Sequence, residues 1–261
     1  SRAPLSRFDL IAFSLSFEND YPNILKILDL AGLPIRGEER DESYPLVMAG
    51  GVTTFLNPEP ISDFIDFFLP GEAEENLNPF IDLFKEVAGK GSTKRELLEN
   101  LARGMEGIYV PSLYHVEYDS EGKINSRQPL IEGIPSNIKS GKTSRDILTV
   151  NSSTLISDST EFADKLLVEL GRGCGRSCRF CAAGFVYRPP RYQDEKMVMT
   201  AINGSPFGCS EIGLLSASVL DTPGITNIAE KILASGKTFS LSSLRADLLD
   251  EEMLALLKKA G

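Results

Sequence analysis

An alternation constrains this chain more than any other feature. Short apolar runs of strand length give way to segments with helical spacing, once before residue 104 and again from Lys165. In the first series the apolar runs are Phe8 to Leu15, Tyr44 to Ala49 and Ile65 to Leu69. Between them lie Tyr21 to Leu30, with Ile24, Ile27, Leu28 and Ala31 on one helical face, and a shorter helical stretch over Pro60 to Phe64. Strands that are apolar throughout are buried on both faces, and strands joined through helices run parallel. Glu74 to Ala88 and Lys94 to Leu101 continue as helices, with Ser92 the expected cap of the second. In the second series Leu166 to Leu170, Ile212 to Leu215 and Phe239 to Leu241 read as strands. Helices are expected over Gln193 to Ile202, after a Thr222-Pro223 start and before Gly236, and from Asp250 to the final lysines.

Between the two series the pattern changes. Tyr109-Val110 and Tyr114 to Tyr118 alternate like strands around the turn signal Asp119-Ser120-Glu121-Gly122. The expectation is therefore an α/β chain in three parts. A Rossmann-like parallel-sheet domain occupies 1–104, a linking segment with a β-hairpin 105–163, and a second βα series 164–261. The chain starts almost on a strand and stops where a fourth strand of the second series is due, so it reads as a piece of a longer protein.

Parallel sheets place ligands beyond the carboxyl ends of their strands. In the first series those ends carry Ser14, Ser16, Gly50, Gly51, Gly71 and Glu72. In the second, the first strand runs directly into Gly171 to Arg191, GRGCGRSCRFCAAGFVYRPPR, which holds three of the four cysteines at Cys174, Cys178 and Cys181.

Composition narrows what that loop can do. The net charge of -10 argues against a chain-wide nucleic-acid face, yet Arg172 to Arg191 contains five arginines and no acid. No run approaches the roughly 20 apolar residues of a membrane span, and the N-terminus lacks a signal-peptide core. A cytoplasmic, reducing setting is expected, in which clustered cysteines read as metal or redox ligands, and Cys209 as a small buried hydrophobe. His115 is the only histidine. Mechanisms built on a His dyad, a Cys-His pair or a Ser-His-Asp triad lack their parts.

The C-x3-C-x2-C spacing can wrap one face of a cubane iron-sulfur cluster, giving a thiolate to each of three irons and leaving the fourth open. Cys209 lies 28 residues after Cys181 and precedes a different strand. The four-ligand patterns of ferredoxins and structural zinc sites are not met. Positive charge nearby favours thiolates over thiols, while for Arg176 and Arg179 a merely solvated role stands beside that one.

On these residues the chain resembles the radical S-adenosylmethionine (radical SAM) superfamily, and RGCGRSCRFCAAGFVYRPPR resembles its branch with an N-terminal cobalamin-binding-like domain. The resemblance implies a 4Fe-4S cluster on Cys174, Cys178 and Cys181 whose open iron chelates S-adenosylmethionine, which is cleaved reductively to give a 5'-deoxyadenosyl radical. It implies that residues 164–261 are the first half of a radical SAM barrel, about three of its six βα units. Phe180 takes the aromatic position near the adenine. Ser216, Ala217 and Ser218 stand where the family often has Gly-Gly-Glu, and Ser242, Ser243 and Arg245 are candidate contacts for polar parts of cofactor or substrate. Strand-end capping by the serines, and pairing of Arg245 with Asp247 or Asp250, are the alternatives. The resemblance also implies a reductant such as flavodoxin or ferredoxin; the substrate and any catalytic side chain stay unknown. The Asp-x-His-x-x-Gly that supplies cobalt's lower ligand is absent, so a structural role is expected for the first domain, with cobalamin binding the lesser expectation. Two other readings remain open: an iron-sulfur electron-transfer module without radical chemistry, and a corrinoid-binding domain without catalysis.

Overall fold

The computed structural model describes residues 2–89, 92–144, 150–205 and 208–261. The chain divides into two compact units, Ser1–Thr143 and Ser144–Gly261, each with its own parallel sheet and apolar core.

The first unit is built on β1 (Leu10–Ser14), α1 (Tyr21–Leu30), β2 (Leu46–Gly50), α2 (Val52–Leu56) and β3 (Phe67–Phe68). The strands lie in the order β1-β2-β3, all parallel, with Leu10 opposite Leu46 and Met48 opposite Phe67. Leu46 to Ala49 are all buried, as an apolar central strand covered on both faces must be. Helices α3 (Leu77–Ala88) and α4 (Lys94–Gly104) come next. Of the expected apolar face of α1, Ile24 and Leu28 are buried and Ala31 is half-buried, whereas Ile27 is exposed. The cap of α4 is Thr93 rather than Ser92. Its hydroxyl accepts from the Glu96 N–H at 3.3 Å and the Glu96 carboxylate accepts from the Thr93 N–H at 2.9 Å, a reciprocal box that only the 93–96 spacing allows.

The hairpin is β4 (Tyr114–Tyr118) and β5 (Ile124–Pro129). Tyr109, expected beside it, instead bridges the free edge of β3, exchanging backbone hydrogen bonds of 2.7 and 2.9 Å with Phe68. Tyr109 and Tyr114 are both buried in the first core, and the Arg127 guanidinium from β5 lies 5.1 and 5.3 Å from their ring centres.

One buried ionic group ties this unit together. Asp66, at the start of β3, accepts from the Val47 N–H at 2.7 Å and faces Arg40 at 3.1 Å and Lys94 at 2.7 Å. Arg40 also donates to the carbonyls of Pro34, Ile35 and Phe64, and Lys94 to those of Gly37 and Arg40. The loop before β2, the end of the loop before β3 and the first turn of α4 thus meet on a single carboxylate.

The second unit contains β6 (Lys165–Glu169), β7 (Gly171–Arg172), α5 (Ala183–Val186), β8 (Arg191–Tyr192), α6 (Glu195–Gly204), β9 (Glu211–Leu215), α7 (Ile225–Ala234), β10 (Thr238–Leu241) and α8 (Glu251–Ala260). The parallel order is β10-β9-β6, with β9 central. Helix α6 is capped by Asp194, and α8 by Asp250, whose carboxylate accepts from the Met253 N–H at 2.8 Å. Helix α7 starts later than the Thr222-Pro223 signal indicates, because Gly224 adopts a left-handed conformation (φ 73°) and turns the chain once more before Ile225. Gly236 (φ 78°) ends it as expected.

Removing one partner from a buried ion group leaves uncompensated charge. Asp66→Ala is expected to destabilise the first unit by about 3–5 kcal/mol, read as an earlier transition in chemical denaturation of the whole chain.

Candidate functional site

The parallel pairing of β6, β9 and β10 brings three sets of sequence-marked residues to one edge of the second sheet. The backbone N–H of Leu170 bonds to the Leu215 carbonyl at 2.8 Å, and that of Ser242 to the Leu214 carbonyl at 3.1 Å. The cysteine loop, Ser216 to Ser218 and Ser242 to Arg245 therefore leave the sheet at neighbouring points. Ser216 and Ser242 touch: the Ser242 hydroxyl accepts from the Ser216 N–H at 3.3 Å and lies 3.4 Å from its carbonyl. Ser218 is buried and Ala217 exposed. The hydroxyls of Ser216 and Thr222 are buried without a hydrogen-bond partner among the described residues.

The loop itself is closed at its base. Gly171 and Arg172 of β7 pair antiparallel with Tyr192 and Arg191 of β8, and the Gln193 N–H returns to the Leu170 carbonyl at 2.8 Å. Gly173 is required where it stands: φ is 86°, and a Cβ there would meet the Tyr187 carbonyl oxygen at 2.1 Å. Arg191 is buried and donates to the carbonyls of Pro189 and Tyr187. Arg188 donates to the Arg176 carbonyl and the Ser177 hydroxyl, with its guanidinium 4.7 Å from the Phe185 ring centre.

Of the three thiols, Cys178 is exposed and Cys174 and Cys181 are half-buried. The Arg176 N–H points at the Cys174 sulfur, 3.4 Å away, and the Cys181 N–H bonds to the Cys178 carbonyl at 3.1 Å. Among the described residues no three His, Cys, Asp or Glu side chains converge as they would around a single metal ion. A cubane makes a different demand, since it takes each thiolate on a separate iron. The donor set of three cysteines, with a peptide N–H aimed at one sulfur, fits that group in its chemistry. Phe180 is 92% exposed, and Cys209 is half-buried against the second core.

Three arginines at this edge are matched by carboxylates. Arg172 makes two 2.9 Å bonds to Glu169. Arg176 makes two bonds to Asp221, at 2.6 and 3.3 Å. The bond from Arg176, above all other causes, holds the Asp221 carboxyl below its usual range. Arg245 pairs with Asp247, the alternative already open to it in the sequence. Burial, then the Asp221 carboxylate and Cys174, push the Tyr192 phenol up. Asp221 is the residue sequence reasoning missed. Its partner lies 45 positions away, and no local pattern links the two.

In the first unit the marked strand ends are filled by the chain itself. Gly51 (φ 97°) lies so close to Leu15 that a Cβ would stand 2.4 Å from its carbonyl oxygen, and a Cβ on Gly71 (φ 121°) would stand 2.1 Å from the Gly141 nitrogen. Glu72 is buried, and its carboxylate accepts from the Thr143 N–H at 3.0 Å. His115 is exposed on the hairpin strand β4. Close backbone packing accounts for these glycines.

Residues 1–111 match the family described as radical SAM proteins, N-terminal. This match supports the radical SAM superfamily. A protein of Methanocaldococcus jannaschii, itself named only as uncharacterized, is 28% identical over 256 residues, 97% of this chain and 48% of that protein. The chain thus spans about half the length of the relative it matches. No helix among the described residues is long and apolar enough to cross a membrane.

Since Gly173 holds the base of the loop in a left-handed turn, Gly173→Ala is expected to cost at least about 1–2 kcal/mol of local order. The measurement is amide hydrogen exchange, which is expected to quicken by about tenfold or more across 170–173 and 187–193 and to stay unchanged in the first unit.

Proposed function

We propose that the second unit is the cluster-bearing part of a radical SAM enzyme, and that its sheet is the first half of the family's barrel. The observation that carries this reading is the cysteine loop at the carboxyl edge of a parallel sheet, beside the strand-end serines. In this reading Cys174, Cys178 and Cys181 hold a 4Fe-4S cluster. Such a cluster, once bound and reduced, would supply the one-electron chemistry that cleaves S-adenosylmethionine to methionine and a 5'-deoxyadenosyl radical.

The chain's own residues have three tasks in this scheme. The three cysteines would supply the thiolate ligands of the cluster, one short of a full set, so that the remaining place could go to S-adenosylmethionine. The Arg176 N–H directed at Cys174 stabilises negative charge on sulfur. The strand-end segment Ser216 to Ser218 offers backbone carbonyls and the buried Ser216 hydroxyl to an ammonium group. Arg245 and Ser242, one strand further on, line the same edge and suit polar parts of the cofactor or substrate. Phe180, so exposed here, is the aromatic available to cover an adenine.

For the first unit we propose a structural role without corrinoid. Its strand ends are packed by Leu15, Gly141 and Thr143, and its one histidine stands exposed on the hairpin strand β4. An external reductant of the flavodoxin or ferredoxin type completes the scheme, and the substrate is left unassigned.

The test is anaerobic reconstitution with iron and sulfide, followed by strong reduction in the presence of S-adenosylmethionine. Both this chain and the longer parent protein are to be assayed. The parent is expected to form 5'-deoxyadenosine, and Cys178→Ala to lose the iron-sulfur absorbance in either form. A cluster without cleavage in the parent would favour an electron-transfer module. A full cluster retained in the Cys178→Ala chain would remove the ligand assignment.

A further inference from the structure

Arg176 occupies the middle of the first cysteine interval, Cys174-Gly175-Arg176-Ser177-Cys178. From sequence a solvated role stands beside one of favouring thiolates, and in the structure its side chain, its N–H and its carbonyl are all engaged. Its guanidinium meets both oxygens of Asp221, its N–H points at the Cys174 sulfur, and its carbonyl accepts from Arg188 at 3.2 Å. Gly184 packs on that carbonyl so closely that a Cβ there would stand at 2.9 Å. Asp221 is the better fixed of the pair, with 16% of its side chain exposed against 43% for Arg176. It closes the short helical turn Val219–Asp221 after β9, where its own N–H bonds to the Ser218 carbonyl at 3.2 Å.

We propose that Arg176 and Asp221 form a positioning clasp that orders the Cys174–Cys178 segment before any cluster arrives. Resting on the reading of the loop as a cluster site, the clasp adds a residue from the turn after β9 to the machinery that holds it. The reasoning is mechanical. A loop of small and polar residues has many conformations, and the entropy of ordering it opposes cluster uptake. A two-point Arg–carboxylate contact fixes direction as well as distance, and Asp221 closes the short helical turn that follows β9. Once Arg176 is fixed by its side chain, its N–H is fixed too, and the Cys174 sulfur has a permanent donor. Neither residue is a ligand; both act through Cys174.

The clasp makes two separable predictions. In the metal-free chain, Asp221→Ala is expected to raise the alkylation rate of Cys174 by about tenfold, with Cys209 unchanged as an internal control. Asp221→Glu keeps the carboxylate and is expected to restore most of the protection, whereas Arg176→Lys, which loses the planar fork, is not. In the reconstituted chain, the same order is expected for iron release to a chelator. Arg176→Ala combined with Asp221→Ala should be no worse than either alone, because both remove one interaction. Potential provides a check that general loosening would not pass. Arg176→Gln leaves the Asp221 charge unpaired near the cluster and is expected to lower the reduction potential, and adding Asp221→Asn to bring it back toward wild type.

Labelling of Cys174 that is unaltered in Asp221→Ala overturns the clasp whether or not the chain takes up iron. Effects of the two alanine variants that multiply in the double variant overturn it as well. Wild-type chain and parent that both refuse a cluster, with labelling protection intact, would instead overturn the proposed function and confine the clasp to ordering a loop of three free thiols. Circular dichroism of each variant separates these outcomes from failure to fold.

Discussion

Parallel pairing puts the carboxyl ends of all strands on one side, and the chemistry of the second unit depends on that geometric fact. Glu169 stands opposite Leu215, and Leu214 opposite Leu241, so the three strands finish within about one residue of each other. The segments that leave the three strands are then neighbours in space although far apart in sequence. The register is held from beneath by Leu166, Val168, Ile212, Leu214 and Phe239, against helices α6, α7 and α8. A slip of one residue in any strand would turn its apolar side chains out of that core and move its carboxyl end off the common level. Packing in the core and juxtaposition at the edge are one constraint seen from two sides.

The first unit obeys the same rule with a different outcome. Its strands also end together, and its glycines also permit close approach at that edge. The approaching group is the chain's own backbone, Leu15 against Gly51 and Gly141 against Gly71. A glycine at a strand end is therefore ambiguous in sequence, because the space it leaves can admit a ligand or another segment of the same protein. The segment that fills it here arrives from 70 positions downstream, at Gly141, and nothing in the residues around Gly71 announces it.

The limits of the sequence come from the same distinction between local and distant effects. Strand positions are legible because apolar runs of that length, between helical segments, have few other uses, and the Asp250 cap is legible because its partner Met253 is three residues away. The caps expected at Ser92 and Thr222 lie one or two residues from the true ones, since neighbouring polar residues compete for the same role and the choice falls to geometry. The exposure of Ile27 is not legible, because helical spacing defines a stripe and not its width. Asp66 within an apolar run and Asp221 after β9 escape notice for a stronger reason. Each acquires its role from a cation 26 to 45 positions away, Arg40 or Lys94 for one and Arg176 for the other.

The arginines of the loop show how such pairing changes a functional argument. Five arginines without an acid read as a positive field around the cysteines. In the folded unit Arg172 is matched by Glu169 and Arg176 by Asp221, while Arg188 and Arg191 give hydrogen bonds to the loop's own carbonyls. Matched charge close at hand contributes little field at longer range, because the opposing carboxylate cancels it. One influence near Cys174 is directional, a peptide N–H 3.4 Å from the sulfur, on the residue that the ion pair holds. Part of the loop's positive charge therefore acts through conformation. It fixes where backbone dipoles point, one of them at the Cys174 sulfur.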